Sequence, residues 1–354
     1  MNNKIHIGLD AGGSKINVLG CYRGQRISAQ FPSENARKES PDDTANRIFQ
    51  SVEAIWSRFS EKDLDTGLRL CAGIAGASEP RLQSDIKTRV AHLLGIPTAH
   101  IRIVSDARVA FEAAFNVDQA EKLVSSQNVG PKLLVIAGTG SGCYSFTEKE
   151  EFVRTGGWGS ILGDPGSGTA LGLETIRHLL AAIELGQISL FESHILDALK
   201  PYWNSLSATD ATYTTDATFD ANDTGTPKKS FPSVAGVLGV VYNSEFKPSI
   251  LAPLLLELCA QHDAAQHDAA QSIVDSETTR FAEQIKRLAD ILGKNHPTNE
   301  TNVPVIALVG GLSQSQHYQK ALSGAIQKVI PGANVTVPNN QPVDGALSLA
   351  EKME

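Results

Sequence analysis

Residues 5–19 read IHIGLDAGGSKINVL, and the rest of the chain can be interpreted outward from this stretch. Apolar residues alternate with small or polar ones from Ile5 to Asp10, which predicts a buried strand, and a second apolar run begins at Ile16. The turn at residues 11–15 contains two adjacent glycines, whose backbone N–H groups can approach an anion without interference from a Cβ atom. The stretch therefore predicts a phosphate-binding β-hairpin, although an ordinary glycine turn explains it equally well when it is considered alone.

Two further residues of the first hairpin suit phosphate binding. Asp10 would repel a bare phosphate group, so its presence indicates a divalent cation between Asp10 and the phosphate, and Ser14 adds a hydroxyl donor to the turn.

A second copy of this hairpin favours the phosphate-binding interpretation over an ordinary glycine turn. Residues 133–146, LLVIAGTGSGCYSF, repeat the design with an apolar strand, a glycine turn at residues 138–142 and a further strand. Two such hairpins predict two similar halves that face one nucleotide.

Bulk composition limits the class of protein. A chain of 354 residues suffices for two domains, and 41% hydrophobic with 20% charged residues is globular. The net charge of -8 argues against a nucleic-acid surface. No apolar run is long enough to span a membrane, and the opening residues, MNNKIHIGLD, carry an acid too early for a signal peptide. The cysteines are scattered and form no C-x-x-C pair, so we expect a reduced, cytoplasmic protein without disulfides or zinc: Cys21, Cys71, Cys143 and Cys259.

The predicted elements follow the same order in both halves of the chain. Three strands precede helix, strand, helix, strand and helix, and the second half carries extra helices before its fourth strand. This order predicts an α/β fold. Beyond the hairpins, the predicted helices are residues 41–59, 80–94, 107–115, 167–185, 314–329 and 344–353, and the predicted strands include residues 68–74, 101–104, 303–309 and 335–337.

Two segments depart from this order. Residues 205–229 are rich in Thr, Asp and Ala and have few aliphatic anchors, which predicts an exposed, mobile excursion. Residues 261–271 read QHDAAQHDAAQ, in which two histidines raise the question of a metal site. A helix start with Asp263 or Asp268 as N-cap is the favoured interpretation, because an i,i+5 spacing does not put His262 and His267 on one helix face.

Asp106 is the first candidate for chemistry outside the hairpins. It follows a predicted strand and opens a helix in the stretch RIVSDARVAFEAAF. A carboxylate at this position can accept a proton from a substrate hydroxyl group. An N-cap for the following helix is the simpler role, and the stretch alone favours the cap.

Glycines are denser at residues 156–168 than a structural turn requires. They surround Trp158 and Asp164, so backbone, ring and carboxylate can meet a polyhydroxyl ligand, although a glycine turn before a helix is the simpler explanation. Gly310 and Gly311 end a later predicted strand. Close backbone approach there suits either a nucleoside or plain helix–strand packing.

Seven motifs stand in a fixed order between Ile5 and Ala350: IGLDAGGSK, GIAGAS, VSDA, IAGTGSG, GGWGSILGDPGSG, VGGLS and DGALSLA. Together they resemble the BadF/BadG/BcrA/BcrD-type ATPase family, more narrowly its N-acetylglucosamine and glucosamine kinase branch, within the actin/hexokinase/Hsp70 superfamily. The resemblance implies two ribonuclease-H-like (actin-like ATPase) domains with the nucleotide and sugar in the cleft between them. It divides the chain into residues 1–117 plus 341–354 and residues 118–340.

The resemblance also implies roles for individual residues. ATP and Mg2+ would be the cofactors, with Asp10 helping to hold the metal and Asp106 acting as the catalytic base. Besides Asp106, the sugar pocket would contain Gly76, Trp158, Gly159 and Asp164. The positions at the nucleotide would be Asp10, Gly12, Gly13, Ser14, Lys15, Gly138, Thr139, Gly140, Ser141, Gly310 and Gly311.

The implied reaction is in-line transfer of the ATP γ-phosphoryl group to the 6-hydroxyl group of an amino sugar. Some N-acetylglucosamine kinases carry an Asn after the GTGS loop, where this chain has Gly142. Recognition of an N-acetyl group is therefore open, and glucosamine stays a candidate acceptor beside N-acetylglucosamine, with N-acetylmuramic acid a third. A homodimer formed through the second domain is the implied assembly.

Two other functions compete with the sugar kinase. An ATPase that activates a reductase through an iron–sulfur cluster between two subunits needs closely placed thiolates, whereas the cysteines of this chain are far apart in sequence. A sugar-sensing regulator would bind sugar without turnover. Such a regulator has no use for two phosphate loops and a base at Asp106.

Overall fold

The computed structural model describes residues 4–12, 15–32, 39–59, 67–115, 129–147, 151–205, 233–260, 264–295 and 303–353. These residues form two five-stranded sheets with helices packed on them. The α/β class and the repeated sheet are therefore confirmed.

The first sheet contains the hairpin of the opening sequence motif. Its spatial order is β3-β2-β1-β4-β5, with β1 antiparallel to β2 and parallel to β4, and β4 parallel to β5. Because three parallel strands end at one edge, the residues that follow them lie close together. The strands are β1 (Ile5–Ala11), β2 (Lys15–Tyr22), β3 (Gln25–Pro32), β4 (Leu68–Ile74) and β5 (Ile101–Ser105).

The second sheet repeats this arrangement. Its order is β10-β9-β6-β7-β8, with β6 antiparallel to β7 and parallel to β9. The two sheets therefore match strand by strand: β6 corresponds to β1, β7 to β2 and β9 to β4. The strands are β6 (Val129–Ala137), β7 (Ser141–Phe146), β8 (Phe152–Gly156), β9 (Val303–Val309) and β10 (Asn334–Thr336).

The helices begin and end within a few residues of the predicted limits. Serine hydroxyl groups cap several of their N-termini, as at Ser167, which accepts a hydrogen bond from the Ala170 amide. The first helix ends at Trp56 rather than at Phe59, although the Phe59 side chain still enters the core. The helices are α1 (Pro41–Trp56), α2 (Pro80–Leu94), α3 (Asp106–Phe115), α4 (Gly168–Glu184), α5 (Leu190–Ser205), α6 (Val234–Val241), α7 (Leu251–Leu258), α8 (Ala264–Asn295), α9 (Gln316–Val329) and α10 (Pro342–Glu351).

Two helices join the halves of the chain. Phe111 of α3 packs against Phe146 of β7, with ring centroids 5.2 Å apart, so α3 covers one face of the second sheet. The last helix, α10, packs on β1 and α3. The contact with β1 requires glycine at Gly8, because a Cβ atom there would lie 2.3 Å from the backbone nitrogen of Leu347.

The segments that depart from the repeat are only partly described. Ser205 is the last residue of α5, and the rest of the predicted excursion at residues 205–229 lies outside the described residues. Because α8 begins at Ala264, Asp268 lies inside that helix, which excludes Asp268 from the two predicted N-cap alternatives. Asp263 and His262 lie outside the described residues. In the described ranges, no three His, Cys, Asp or Glu side chains form a group that could hold a metal ion.

Of the helices in the described ranges, none is both long and apolar enough to cross a bilayer.

Candidate active site

Two carboxylates lie at the shared edge of the first sheet. Asp10 is near the end of β1, and Asp106 directly follows β5. Burial raises the pKa of Asp10 to about 6; the side-chain hydrogen bond from Asn17 opposes this shift, and the nearby charge of Asp106 adds to it. The two acids are therefore close enough to interact, as the parallel strands predict.

The structure separates the two roles considered for Asp106. Ser105 performs the capping role, since its hydroxyl group accepts a hydrogen bond from the Arg108 amide at 3.3 Å. Asp106 Oδ1 accepts a hydrogen bond from the adjacent Ala107 amide at 2.9 Å. Burial raises the pKa of the Asp106 carboxyl group above its usual range. Asp106 is thus not required as a cap, and its charge acts on the Asp10 carboxyl group.

The first glycine turn follows β1, and of its residues Gly12 and Lys15 are described. The Gly12 amide donates to the Lys15 carbonyl at 2.9 Å and closes the turn, while Gly13 and Ser14 lie outside the described residues. Asn17 Nδ2 lies 3.4 Å from Asp10 Oδ2 and orients that carboxylate.

The motif after β4 lies next to this first turn. Gly76 has a φ of +85°, a backbone conformation that favours glycine. The preceding Ala75 amide donates to the carbonyl of Ala11 at 2.8 Å. The turn that contains Gly76 is therefore fixed to the end of β1, beside Asp10.

The second glycine turn is held from several sides. The Gly138 carbonyl accepts from the Gly168 amide at 2.8 Å, and the Thr139 carbonyl accepts from the Thr169 amide at 3.1 Å and from its hydroxyl group at 2.8 Å. The turn is therefore bonded to the first turn of α4. These hydrogen bonds hold the turn against the N-terminus of α4.

The glycine pair after β9 lies against the same turn. Gly310 has a φ of +104°, and a Cβ atom on it would lie 2.3 Å from the Ala137 carbonyl oxygen, so glycine is required. A Cβ atom on Gly138 would lie 3.9 Å from the Gly311 nitrogen. The two predicted nucleotide motifs of the second half are thus neighbours, and around Gly311 itself the described residues leave open space.

Asp164 faces the second glycine turn from the glycine-rich segment. It has a φ of +64°, which is uncommon for a residue other than glycine, and its side chain is buried. Its Oδ1 accepts from the Gly159 amide at 3.2 Å, and a Cβ atom on Gly140 would lie 2.8 Å from its Oδ2. Burial raises the pKa of Asp164, and hydrogen bonds from the backbone amides of Gly159, Ser141 and Trp158 oppose that shift.

Two other predicted site residues have definite positions. The Ser141 hydroxyl group is buried and donates to the Pro165 carbonyl at 2.7 Å, so it holds the glycine-rich segment rather than an open ligand position. Trp158 is 59% exposed, and its ring lies under the Arg154 guanidinium group, 5.1 Å from the ring centroid.

Tyr144 is a site residue that the sequence analysis did not identify. Burial raises its pKa to about 12, and the charges of Asp106 and Asp164 are among the groups that contribute. The Tyr144 side chain therefore lies near acids from both halves of the chain. The signal in the sequence was Gly142, which is two residues earlier on the same strand face and has no side chain to occupy that face.

The cysteines do not form a cluster site in the structure. Cys71 and Cys143 are buried in different sheets, and burial raises the pKa of each thiol to about 12. Cys259 is buried after α7, with a pKa of about 11, and Cys21 is partly exposed on β2. Protonated, separated thiols are poor ligands for an iron–sulfur cluster.

The chain belongs to the BadF/BadG/BcrA/BcrD ATPase family, whose model matches residues 7–350. This result confirms the family that the ordered motifs indicated.

The relatives of known name are distant. The N-acetylmuramic acid/N-acetylglucosamine kinase of Clostridium acetobutylicum is 29% identical over 56% of this chain and 60% of its own length. The N-acetyl-D-glucosamine kinase of Dictyostelium discoideum is 29% identical over 51% of this chain and 56% of its own length. The alignments thus span less than two thirds of either relative.

The fold has a counterpart in solved structures. A Chromobacterium violaceum protein with the provisional name N-acetylglucosamine kinase covers 99% of this chain and 100% of its own, with a TM-score of 0.60. At 18% identity this likeness shows the fold alone. The predicted α/β fold, with its two similar sheets, is confirmed at that level.

Proposed function

We propose that the protein is an ATP-dependent amino-sugar kinase that phosphorylates the 6-hydroxyl group of N-acetylglucosamine or glucosamine. One observation carries the proposal. Asp106 from the first half and Asp164 from the second both lie near Tyr144, so acids from the two halves border one region beside the second glycine turn. Family membership supports the use of ATP, and the names of the two relatives support an amino-sugar acceptor.

Asp106 is the proposed base. Burial raises its pKa, which makes the ionised carboxylate a stronger proton acceptor. The Ala107 amide fixes one carboxylate oxygen. Removal of the proton from the sugar hydroxyl group then accompanies its attack on the γ-phosphorus atom, with attacking and leaving oxygens in line.

Asp10 fits the proposed role of holding Mg2+. The metal prefers oxygen ligands and commonly takes one or two carboxylates, with phosphate oxygens and water completing its shell. Asp10 offers a partly buried carboxylate whose pKa is raised, partly by the charge of Asp106, and a cation would relieve that repulsion. When bound, Mg2+ neutralises charge on the transferring phosphoryl group.

The remaining residues divide between the two substrates. For the nucleotide we propose backbone contacts from both glycine turns and from the pair after β9: Gly12, Gly13, Ser14, Lys15, Gly138, Thr139, Gly140, Ser141, Gly310 and Gly311. For the sugar we propose Gly76, Trp158, Gly159 and Asp164 beside the base. The carboxylate of Asp164 would accept hydrogen bonds from sugar hydroxyl groups.

We propose the domain division that these contacts support. Residues 1–117 with 341–354 would form one unit, because α10 packs on β1 and α3, and residues 118–340 would form the other. Closure of the two units over the substrates would exclude water and favour transfer over ATP hydrolysis. Assembly as a homodimer in the cytoplasm remains a prediction.

The test measures ADP release from ATP and Mg2+ with glucosamine, N-acetylglucosamine, N-acetylmuramic acid or no sugar. Strong stimulation by one amino sugar is expected and identifies the acceptor. Equal rates with and without every sugar would contradict the proposal and favour an ATPase that acts on a protein partner.

A further inference from the structure

Tyr144 occupies an unusual position on β7. A Cβ atom on Gly142 would lie 2.5 Å from the Tyr144 hydroxyl oxygen, and a Cβ atom on Gly157 would lie 2.7 Å from it. The phenol therefore lies over two glycines, and a side chain at either one would have to displace it. The ring is held in place, because it stacks on Phe152 with centroids 5.8 Å apart and an interplanar angle of 21°.

The hydroxyl group of Tyr144 has the character of a fixed donor. Its raised pKa keeps it protonated at neutral pH, so it can donate a hydrogen bond throughout the working range. Asp106 and Asp164, whose carboxyl groups both act on the Tyr144 hydroxyl group, can only accept hydrogen bonds when they are ionised. Arg154 lies opposite Tyr144 on β8, and its charge opposes the rise in the pKa of Tyr144.

The three side chains thus offer two acceptors and one donor. Sugar hydroxyl groups and an ammonium group can donate to the carboxylates. An acyl carbonyl oxygen can only accept, and the Tyr144 hydroxyl group is the donor that such an oxygen requires. A free amine at the same sugar carbon, protonated at neutral pH, has no lone pair with which to accept this hydrogen bond.

We propose that Tyr144 determines acceptor specificity by donating a hydrogen bond to the carbonyl oxygen of an N-acyl amino sugar, with Gly142 and Gly157 providing the space for its hydroxyl group. The inference rests on the proposed kinase function and deepens it, because it selects N-acetylglucosamine over glucosamine. Tyr144 is thus a specificity-determining residue, and the proton transfer stays with Asp106.

The experiment compares wild-type protein, Tyr144→Phe and the control Tyr242→Phe, which makes the same change at an exposed position after α6. Steady-state ADP release gives kcat/KM for N-acetylglucosamine and for glucosamine. Tyr144→Phe should lower the value for N-acetylglucosamine about ten-fold, the size expected for one lost hydrogen bond, and that for glucosamine by less than about three-fold. The control should change neither value.

A second variant reaches the same contact by another route. Gly142→Ala puts a methyl group where the Tyr144 hydroxyl oxygen lies, so it should reduce the preference for the acylated sugar in the same direction. An equal loss for both sugars, or an unchanged ratio in Tyr144→Phe, would overturn the proposal, because the ring would then act only in packing or on a shared hydroxyl group.

Direct binding separates this inference from the proposed function. Calorimetric titration of each sugar without ATP measures the Tyr144 contact even in a protein that does not turn over. If wild-type protein binds N-acetylglucosamine but releases no ADP, the proposed kinase function is contradicted. The Tyr144 contact is then tested by whether Tyr144→Phe binds N-acetylglucosamine more weakly than wild-type protein does. Wild-type protein that binds neither sugar would overturn both.

Discussion

The two central hairpins have the same topology and different supports. In the first, Asp10 is the last-but-one residue of β1, and the nearest atom to a Cβ on Gly12 would be the Lys15 carbonyl oxygen at 3.4 Å. In the second, the corresponding strand position holds Ile136, and the turn is bonded to α4 and lies against Asp164. The first hairpin therefore has an acid at the end of its first strand, whereas the second has a neutral residue there and a turn bonded to a helix.

This difference shows how a repeated fold supports one reaction. The first sheet gathers the acids at its edge, where the charge of Asp106 adds to the effect of burial in raising the pKa of Asp10. The second sheet supplies backbone groups whose positions are fixed by neighbouring glycines and by Asp164. On our account the first half performs proton and metal chemistry and the second positions the phosphates.

The largest expected effect comes from the acid of the first half. Asp106→Asn removes the proposed base and keeps the shape of the side chain, so kcat should fall by roughly 10²–10⁴-fold with little change in ATP affinity. Steady-state ADP release and nucleotide titration measure the two quantities. Asp197→Asn, an exposed change on α5, is the control. Near-normal turnover in Asp106→Asn would remove its role as base.

The next effect contrasts the glycines of the two turns. Gly140→Ala puts a methyl group 2.8 Å from Asp164 Oδ2, so the free energy of unfolding should fall by about 1–3 kcal/mol and sugar kcat/KM should fall with it. Gly12→Ala meets only ordinary contacts, so its unfolding free energy should stay within about 0.5 kcal/mol and its effect should be on the KM for ATP. If chemical denaturation showed the same loss of unfolding free energy for Gly140→Ala and Gly12→Ala, the proposed difference between the two turns would be contradicted.

The third effect is a pH dependence of stability at Asp10. Its pKa is raised from 3.8 to about 6 in the folded protein, so ionising it costs stability as pH rises through that window. Asp10→Asn should therefore raise the free energy of unfolding by about 1–2 kcal/mol at pH 7.5 and by little at pH 4, although activity is lost.

Thermal unfolding of both proteins across this pH range measures the difference. Asp290→Asn, which removes an exposed acid paired with Lys286, serves as the control. If Asp10→Asn raised the free energy of unfolding equally at every pH, ionisation of Asp10 would not be the cause of the instability.

The smallest effect concerns the bonds that hold the second turn. Thr169→Val removes the hydroxyl group that donates to the Thr139 carbonyl at 2.8 Å, so the unfolding free energy should fall by about 1 kcal/mol and the KM for ATP should rise slightly. Thr88→Val removes a similar bond, to the Ser84 carbonyl at 2.9 Å on α2. If the KM for ATP rose as much in Thr88→Val as in Thr169→Val, the effect of Thr169→Val could not be attributed to the second glycine turn.

Much of the fold could be predicted from the sequence because its signals are local. Alternating apolar residues defined the strands, and glycine turns with flanking serines defined where helices begin. The order of elements then determined that the parallel strands end together, which brought Asp10 and Asp106 to one edge. The helix limits missed by a few residues, as at Trp56, because the last turn of a helix depends on its cap and not on its apolar face.

The parts that could not be predicted depend on contacts between distant segments. The role of Ser105 as a cap changes the interpretation of Asp106, yet the sequence offers two adjacent capping residues and cannot choose between them. Tyr144 is a candidate site residue because Gly157, which follows β8, lies beside its hydroxyl group and the charge of Asp164 acts on it. A local sequence pattern cannot predict contacts between segments that are far apart in the chain.

The product of the reaction tests the central claim most directly. After incubation of the protein with ATP, Mg2+ and N-acetylglucosamine, two-dimensional 31P–1H NMR identifies which sugar carbon bears phosphate. The account predicts one new phosphomonoester coupled to the protons on carbon 6, formed in equal amount to ADP, and absent with Asp106→Asn. Phosphate on another carbon, or ADP accompanied only by inorganic phosphate, would contradict it.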